Sequence, residues 1–342
     1  MQNNFFSSPI ILVTGATGLV GGRVVEQLLA AGYRVRGLCR ISPQEVALRL
    51  NRPNLEWVEG DVLDVLSLEK AMEGVSYVVH AAAMVSFAPR DRAAMYSINA
   101  TGTANVVNVA LGAGIQKLLF VSSIAALGRP NPRTLATDTP TLINEKQTWE
   151  ESPLNSHYAK SKYLAEVEVW RGMAEGLPAV IVNPSVVLGE GDWHRSSTQL
   201  FKYVHDQNKY YTQGYINYVD VEDLGEVICR LLLSDLAGER YVVSAGYVSY
   251  KTLFEAMAKG FGTTPPQKPI TQWLAEIVWR VEAVRSWLTG SRPLITRETA
   301  QTARTHFVYE NQKIKEALSF QFRPLEETVE RVCKALKIKY AS

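Results

Sequence analysis

The chain has 342 residues, of which 46% are hydrophobic and 20% are charged, a composition typical of a globular protein. Its 36 basic and 34 acidic residues give a formal net charge of +2, and no run of five like charges occurs, so nucleic acid is not an expected partner. No apolar stretch reaches the ~20 residues of a membrane helix, so a membrane partner is not expected either. The length suggests one large or two modest domains.

The three cysteines are scattered singly along the chain, at Cys39, Cys229 and Cys333. They offer neither a disulfide framework nor the spacing of metal ligands, so no metal is expected, and they fit a reducing compartment. The start of the chain, MQNNFFSSPIILVTG, lacks the basic segment and the small-residue cleavage site of a signal peptide. The sequence therefore predicts a soluble cytoplasmic protein.

The first half of the chain alternates apolar strand-like runs with amphipathic helical patterns. The predicted strands are IILVTG, YRVRGLCR, LEWVEGDV, VSYVVHAAA, QKLLFVSSIAALG and LPAVIVNPSVVLG. The predicted helices are GGRVVEQLLAAG, VLSLEKAMEG, ATGTANVVNVALGAG and the segment from Leu154 to Trp170. Valine- and isoleucine-rich strands that alternate with helices indicate a parallel sheet covered on both faces. We therefore predict an α/β, Rossmann-type doubly wound sheet.

After Gly189 the sequence becomes irregular and mixed in character. We predict a dinucleotide-binding Rossmann domain over 1–188, to which 215–236 returns with a further helix. Residues 189–214 and 237–342 are expected to form a smaller C-terminal substrate-binding cap. A broad apolar stripe over 270–290 predicts an amphipathic helix in that cap.

A glycine loop, VTGATGLVGGR, follows the first predicted strand and opens the first predicted helix. Glycines in this context permit a tight turn, close approach of the backbone to a pyrophosphate, and close packing of helix on sheet. The unpaired N–H groups of the helix N-terminus then face the phosphates. The candidate cofactor-binding residues of the loop are Gly15, Thr17, Gly18, Leu19, Val20 and Gly21.

The end of the second strand bears on the choice between NAD and NADP. Cys39 stands where NAD-binding proteins usually place a carboxylate for the ribose 2′-OH, and Arg40 follows it. An uncharged residue followed by arginine suits a 2′-phosphate, so NADP(H) is favoured, with NAD(H) as the alternative. Asp61, after the third strand, is either a hydrogen-bond acceptor for the adenine amino group or a helix N-cap.

Tyr158 and Lys162 lie four residues apart in the stretch LNSHYAKSKYLAEVEVW. This spacing places both on one face of a helix, about 5–6 Å apart at Cβ. Free tyrosine titrates near pH ~10, and a neighbouring ammonium favours its phenolate and lowers that value. The pair is therefore either a proton-transfer element or an ordinary polar helix face.

Five motifs, in this order, resemble the extended branch of the short-chain dehydrogenase/reductase superfamily. They are TGATGLVG, GDV, HAAA, VSSIAALG and YAKSK, and the similarity covers roughly residues 9–245. Within that branch the chain is most similar to the dihydroflavonol reductase and 3β-hydroxysteroid dehydrogenase group. The resemblance implies an NAD(P)-dependent oxidoreductase and, from the family's habit of pairing two helices that include 105–111 and 158–170, a homodimer.

The resemblance also assigns roles to individual residues. Tyr158 would exchange a proton with the substrate oxygen during hydride transfer at nicotinamide C4, while Lys162 would tune it and contact the nicotinamide ribose. Ser123 would hold the substrate oxygen, with Ser122 as the alternative. Asn99 would support the site through hydrogen bonds or cap a helix. Further cofactor contacts are implied for Asp61, Val62, Ala81, Ala82, Ala83, Ser122, Asn183, Pro184 and Val187.

The expected substrate is mostly apolar, because the segment AAMVSFAPRD supplies Met84 and Phe87, to which Leu127 and Trp193 add. The reaction expected is reduction of a ketone or an aldehyde. A nucleotide-sugar epimerase and a non-catalytic NAD(P) sensor are the alternatives. Sugar 4,6-dehydration is disfavoured, because Ile124 and its neighbour carry no acid or base where such dehydratases have an Asp–Glu pair.

Overall fold

The computed structural model describes residues 9–50, 52–131, 140–195, 197–270 and 306–340. The helix predicted over 270–290 lies outside these ranges, apart from Ile270, which ends a short strand. Within the described ranges no helix combines the length and the apolar character that a membrane crossing requires.

A seven-stranded parallel sheet, in the order β3-β2-β1-β4-β5-β7-β11, forms the centre of the molecule. This confirms the predicted Rossmann-type α/β architecture. The order reverses between β1 and β4, which is where open α/β sheets bind ligands at their carboxyl ends. Its strands are β1 Ile10–Thr14, β2 Arg34–Cys39, β3 Leu55–Glu59, β4 Val75–His80, β5 Lys117–Val121, β7 Ala179–Pro184 and β11 Glu239–Val243.

The remaining strands form three small sheets. A three-stranded sheet has the order β12-β10-β8, and two-stranded sheets join β13 to β9 and β14 to β6. Their bounds are β6 Thr141–Ile143, β8 Val186–Leu188, β9 Tyr210–Thr212, β10 Tyr215–Asp220, β12 Gly246–Ser249, β13 Lys268–Ile270 and β14 Phe307–Tyr309.

Eleven α-helices lie within the described ranges. They are α1 Leu19–Ala30, α2 Pro43–Leu50, α3 Val65–Met72, α4 Arg92–Tyr96, α5 Gly102–Ala113, α6 His157–Ala174, α7 Thr198–His205, α8 Val221–Leu233, α9 Tyr250–Phe261, α10 Gln312–Leu318 and α11 Leu325–Tyr340. Short 3₁₀ turns cover Pro89–Asp91 and Ile124–Leu127, and a π-helical turn covers Ser97–Thr101.

Helices cover both faces of the large sheet, as expected for buried parallel strands. On one face α1 and α8 pack in a core that includes Val24, Leu28 and Leu224. On the other face α3, α5 and α6 pack in a core that includes Leu68 and Val106. A third core lies outside the large sheet and joins α7, α9 and α11 to the small β12-β10-β8 sheet.

The expected domain bounds differ from this arrangement in two places. Strand β11 lies in the segment that we assigned to the cap, yet it pairs with β7 at the edge of the large sheet. Within 215–236, helix α8 packs on α1, whereas β10 belongs to the small sheet. Both differences arise from long-range strand pairing, which local sequence patterns do not specify.

Candidate active site

The glycine loop after β1 lies directly against the segment that follows β4. Gly15 has a φ of +68°, and a Cβ added there would lie 2.8 Å from the carbonyl of Ala81 and from the amide nitrogen of Ala82. Glycine alone fits both the left-handed backbone and this close approach. The loop and the HAAA segment therefore meet at the sheet's topological switch point.

The N-terminus of α1 is open to a ligand. Its N-cap, Gly18, is extended and has no side chain to pair the N–H groups of the first turn, which begins at Leu19. Thr17 and Gly18 are exposed, and a Cβ on Gly21 would overlap the backbone of Gly15. Unpaired N–H groups at a helix N-terminus beneath a glycine loop fit the pyrophosphate of a dinucleotide.

The end of β2 presents a cation and an uncharged thiol. Arg40 is exposed, and it has no ion-pair partner in the described part of the chain. Cys39 is buried, and its Sγ–H donates to the Ile41 carbonyl at 3.3 Å. Burial raises the pKa of the Cys39 thiol, and the nearby Glu59 raises it further. These two side chains place a positive charge, and no carboxylate, at the end of β2.

Asp61 is not the N-cap of the following helix. Asp64 takes that role, because its carboxylate accepts from the N–H groups of the first turn of α3. Asp61 Oδ1 accepts instead from the Leu63 N–H at 2.9 Å. The side chain of Val62 is buried against Gly102, so a cofactor contact at this residue would use its backbone.

Tyr158, in the first turn of α6, meets Ser123, which follows β5. Ser123 Oγ accepts from the Ala125 N–H at 3.2 Å, and the Ser123 hydroxyl lies close enough to the Tyr158 phenol to lower its pKa. The Phe87 ring lies edge-on to the Tyr158 ring, with centroids 6.1 Å apart. The structure thus brings together the predicted acid or base, the predicted hydroxyl and one predicted substrate residue.

Burial sets the pKa of Tyr158 in this structure. Desolvation raises the pKa of the phenol, and the Ser123 hydroxyl opposes that rise. This direction is opposite to the lowering that we expected from Lys162. The physical reason is that the phenol loses more hydration on burial than the Ser123 hydroxyl restores.

Lys162 is buried one turn after Tyr158. Its Nζ donates to the Val121 carbonyl at 2.9 Å and lies 4.2 Å from the centroid of the Phe120 ring. Burial lowers the pKa of Lys162 to about 7, and the Glu166 carboxylate acts in the opposite direction. The ammonium is therefore held in place by a carbonyl and an aromatic face.

Asn99 lies in the π-helical turn, where it fixes the start of the predicted substrate segment rather than capping a helix. Its Nδ2 donates to the Met84 carbonyl and to Ser161 Oγ, both at 2.9 Å. Its Oδ1 accepts from the Met84 N–H at 2.7 Å. The Asn99 side chain therefore joins the Met84 backbone to α6, three residues from Tyr158.

Two predicted substrate residues lie elsewhere. Leu127 is fully buried in a small core with Ile143 and Val242. Trp193 is buried in the cap core, where its ring stacks near Phe261. They were predicted from their apolar character alone, but in the folded chain both side chains pack in hydrophobic cores instead of lining a pocket.

The ends of β5 and β7 carry buried polar groups. Ser122 Oγ, Ser185 Oγ and Asn183 Oδ1 are buried and have no hydrogen-bond partner within the described chain. Pro184 is buried beside them, and Val187 packs at the edge of the first core. Unpaired polar atoms at the carboxyl ends of these strands fit the polar nicotinamide end of a dinucleotide.

His80 is a residue that sequence reasoning left without a role. It is fully buried, its Nδ1 pairs with Thr14 Oγ1 at 2.7 Å, and its Nε2 pairs with Thr103 Oγ1 at 3.0 Å. Thr103 donates to the Asn99 carbonyl, and Thr14 accepts from the Ala82 N–H. A neutral imidazole with its proton on Nε2 satisfies every partner in this chain. Only the burial and the partners reveal this role.

The folded chain matches the family model described as the NAD-dependent epimerase/dehydratase family over residues 11–244. It is 30% identical over 313 residues to a Synechocystis sp. protein with the provisional name dihydroflavonol 4-reductase, which covers 90% of this chain and 88% of that protein. It is 27% identical over 349 residues to cinnamoyl-CoA reductase 1 of Petunia hybrida, covering 97% and 93%. The crystal structure of gox2253 superposes with a TM-score of 0.79 at 30% identity, covering 97% of this chain and 99% of that one.

The family match spans well over half of the chain and contains the glycine loop, the HAAA segment, Ser123, Tyr158 and Lys162. The chain therefore belongs to the NAD-dependent epimerase/dehydratase family and is an NAD(P)-dependent oxidoreductase of the extended short-chain dehydrogenase/reductase type.

Proposed function

We propose that this enzyme uses NADPH to reduce the carbonyl group of a mostly apolar ketone or aldehyde. The observation that carries the proposal is the juxtaposition of the Ser123 and Tyr158 hydroxyl groups, with the Phe87 ring against the tyrosine. This pair offers two hydroxyl groups to one substrate oxygen beside an aromatic wall. The reductase names of the relatives point in the same direction.

The catalytic role proposed for each side chain follows from its contacts. Ser123 donates a hydrogen bond to the carbonyl oxygen and orients it toward Tyr158. Tyr158 gives its phenolic proton to that oxygen as negative charge develops there. NADPH, when bound, supplies the hydride. Lys162 stabilises the phenolate that Tyr158 becomes, and its fixed position also suits a contact with the nicotinamide ribose.

NADP(H) is the proposed cofactor, with NAD(H) as the alternative. Arg40 at the end of β2 has no carboxylate partner among the described residues, and the buried Cys39 thiol offers no negative charge to repel a 2′-phosphate. Within the described ranges one carboxylate oxygen of Asp61 has no hydrogen-bond partner, which supports an adenine contact.

A homodimer is also proposed, through the outer faces of α5 and α6. Val167 lies on α6 with 40% of its surface exposed, an apolar residue available to a second copy. A reducing, cytoplasmic location remains a prediction that is supported by three cysteines, all of them free thiols.

The reduction is tested by an NADPH-oxidation screen over aldehydes, ketones, flavonoids, steroids and nucleotide sugars. We expect oxidation with apolar carbonyl compounds and a loss of kcat/KM on the order of 10²–10⁴-fold in Tyr158→Phe, with NADPH binding retained. Tyr163→Phe is the matched control on the same helix, because Tyr163 stacks on Trp149, away from Ser123. Interconversion of UDP-sugars without net NADPH oxidation would instead establish the epimerase, and a fully active Tyr158→Phe enzyme would refute the mechanism.

A further inference from the structure

Glu166 is a buried carboxylate that the proposed chemistry does not yet use. It lies on α6 one turn after Lys162, and only 2% of its side chain is exposed. Spacing of i,i+4 places the two side chains on the same helix face. A buried carboxylate is costly unless it is paired, so its partners indicate its purpose.

Two partners hold Glu166 from neighbouring strands. Asn183 Nδ2, on β7, donates to Glu166 Oε1 and also to the Ser123 carbonyl, the latter at 2.9 Å. Arg240 Nη1, on β11, lies 3.3 Å from Glu166 Oε2. Arg240 is itself held by the Glu145 carbonyl through its Nε at 3.0 Å. One carboxylate therefore joins α6 to two strands and reaches the backbone of Ser123 through a single amide.

The groups that face Lys162 include one acid. From α6 the group is Glu166, and from β4 it is the buried His80. From β5 they are the Phe120 ring and the Val121 carbonyl, neither of which titrates. Glu166 is thus the negative charge in this set that can balance the ammonium.

We propose that Glu166 is a positioning residue that supplies the counter-charge for the Lys162 ammonium and, through Asn183, fixes the backbone of Ser123. This inference rests on the proposed function of Lys162 and Ser123. The competing reading is that Glu166 serves only to neutralise Arg240. The two explanations differ in how Glu166→Gln and Arg240→Gln should shift the pH dependence of activity.

The sign of the expected effect follows from the protonation states. Activity requires the Lys162 ammonium, so it should fall as pH rises through the pKa of that group. Burial raises the pKa of Tyr158, so Lys162 deprotonates first. Glu166→Gln removes the counter-charge, which lowers the pKa of Lys162 and moves the alkaline limb to lower pH. Arg240→Gln leaves the Glu166 charge unshared, which raises the pKa of Lys162, so the limb should move to higher pH.

The experiment measures kcat/KM for NADPH-dependent carbonyl reduction, and separately the Kd for NADPH by fluorescence, from pH 5.5 to pH 10. We expect the alkaline limb of both profiles to move down by about one pH unit in Glu166→Gln, and not in Arg240→Gln. The binding profile requires no turnover, so it tests Glu166 even when no screened carbonyl compound is reduced. If no compound in the NADPH-oxidation screen is reduced, that result counts against the proposed function, but the pH profile of the Kd for NADPH still tests Glu166.

Three outcomes would overturn the inference. They are unmoved limbs in a folded Glu166→Gln protein, equal shifts in Glu166→Gln and Arg240→Gln, and an alkaline limb in Arg240→Gln that fails to move to higher pH. If Glu166→Gln does not fold, Arg240→Gln decides alone, because only a counter-charge role for Glu166 predicts the upward shift. Glu166→Asp keeps the charge, so its pH profiles should have the alkaline limb of the wild type. A purely steric role for Glu166 instead predicts the same shift in Glu166→Asp and Glu166→Gln.

Discussion

Acid should destabilise this protein through His80, the buried imidazole that joins β1, β4 and α5. Burial lowers the pKa of His80 to about 3, and the charge of Lys162 adds to that lowering. In the unfolded chain the same imidazole titrates near ~6.5. Between these values the unfolded state binds more protons than the folded state, so the free energy of unfolding falls as pH falls.

The magnitude follows from the width of this window. A shift of about 3.5 units corresponds to a total on the order of 5 kcal/mol, lost between pH ~6.5 and pH ~3. Between pH 7.5 and pH 5, the contribution of His80 alone is about 2 kcal/mol. The structural cause is burial of the imidazole near the Lys162 charge. In addition, Nδ1 accepts from Thr14, and protonation there would break that hydrogen bond.

The assay is urea denaturation at several pH values for the wild type, His80→Asn and Thr103→Val. Other carboxylates titrate in all three proteins, so the differences between them isolate the histidine. His80→Asn should be less stable at pH 7.5 but should lose about 2 kcal/mol less than the wild type on going to pH 5. Thr103→Val removes one hydrogen bond and keeps the imidazole buried, so it should keep the wild-type pH dependence. Parallel pH curves for the wild type and His80→Asn would refute the buried neutral histidine.

Three further predictions concern the cofactor loop, cofactor choice and assembly. Gly21→Ala should lower both the unfolding temperature and the NADPH affinity, because the added Cβ would overlap the preceding loop. Gly22→Ala is the control: its Cβ would meet its nearest neighbour only at 3.4 Å, so this variant should gain up to ~1 kcal/mol of helix stability. Equal effects of the two substitutions would contradict the prediction. Arg40→Asp should shift the ratio of kcat/KM values toward NAD, and an unchanged ratio would make Arg40 a surface residue. Val167→Glu should halve the mass measured by light scattering, and a monomeric wild type would remove the proposed dimer.

Local sequence determined much of the fold and the first members of the site. The alternation of apolar strands and helices specified a parallel sheet, because strands buried on both faces must be apolar throughout. The glycine spacing specified the loop, since Gly15 has a positive φ and no room for a Cβ. The spacing of Tyr158 and Lys162 fixed their common helix face, because helical geometry is set within one turn.

Long-range packing decided the rest. Leu127 and Trp193 look like substrate residues until the folded chain buries them in cores, since apolar character does not distinguish a pocket wall from packing. Glu166 and Arg240 are 74 residues apart and meet only because β11 pairs with β7.

The sequence by itself determined which side chains could carry proton transfer and where on their strands and helices they lie, because periodicity and spacing act locally. Tertiary structure alone decided their ionisation. The pKa of Tyr158 rises and that of Lys162 falls because folding removes water from both, and desolvation depends on neighbours that are distant in the chain.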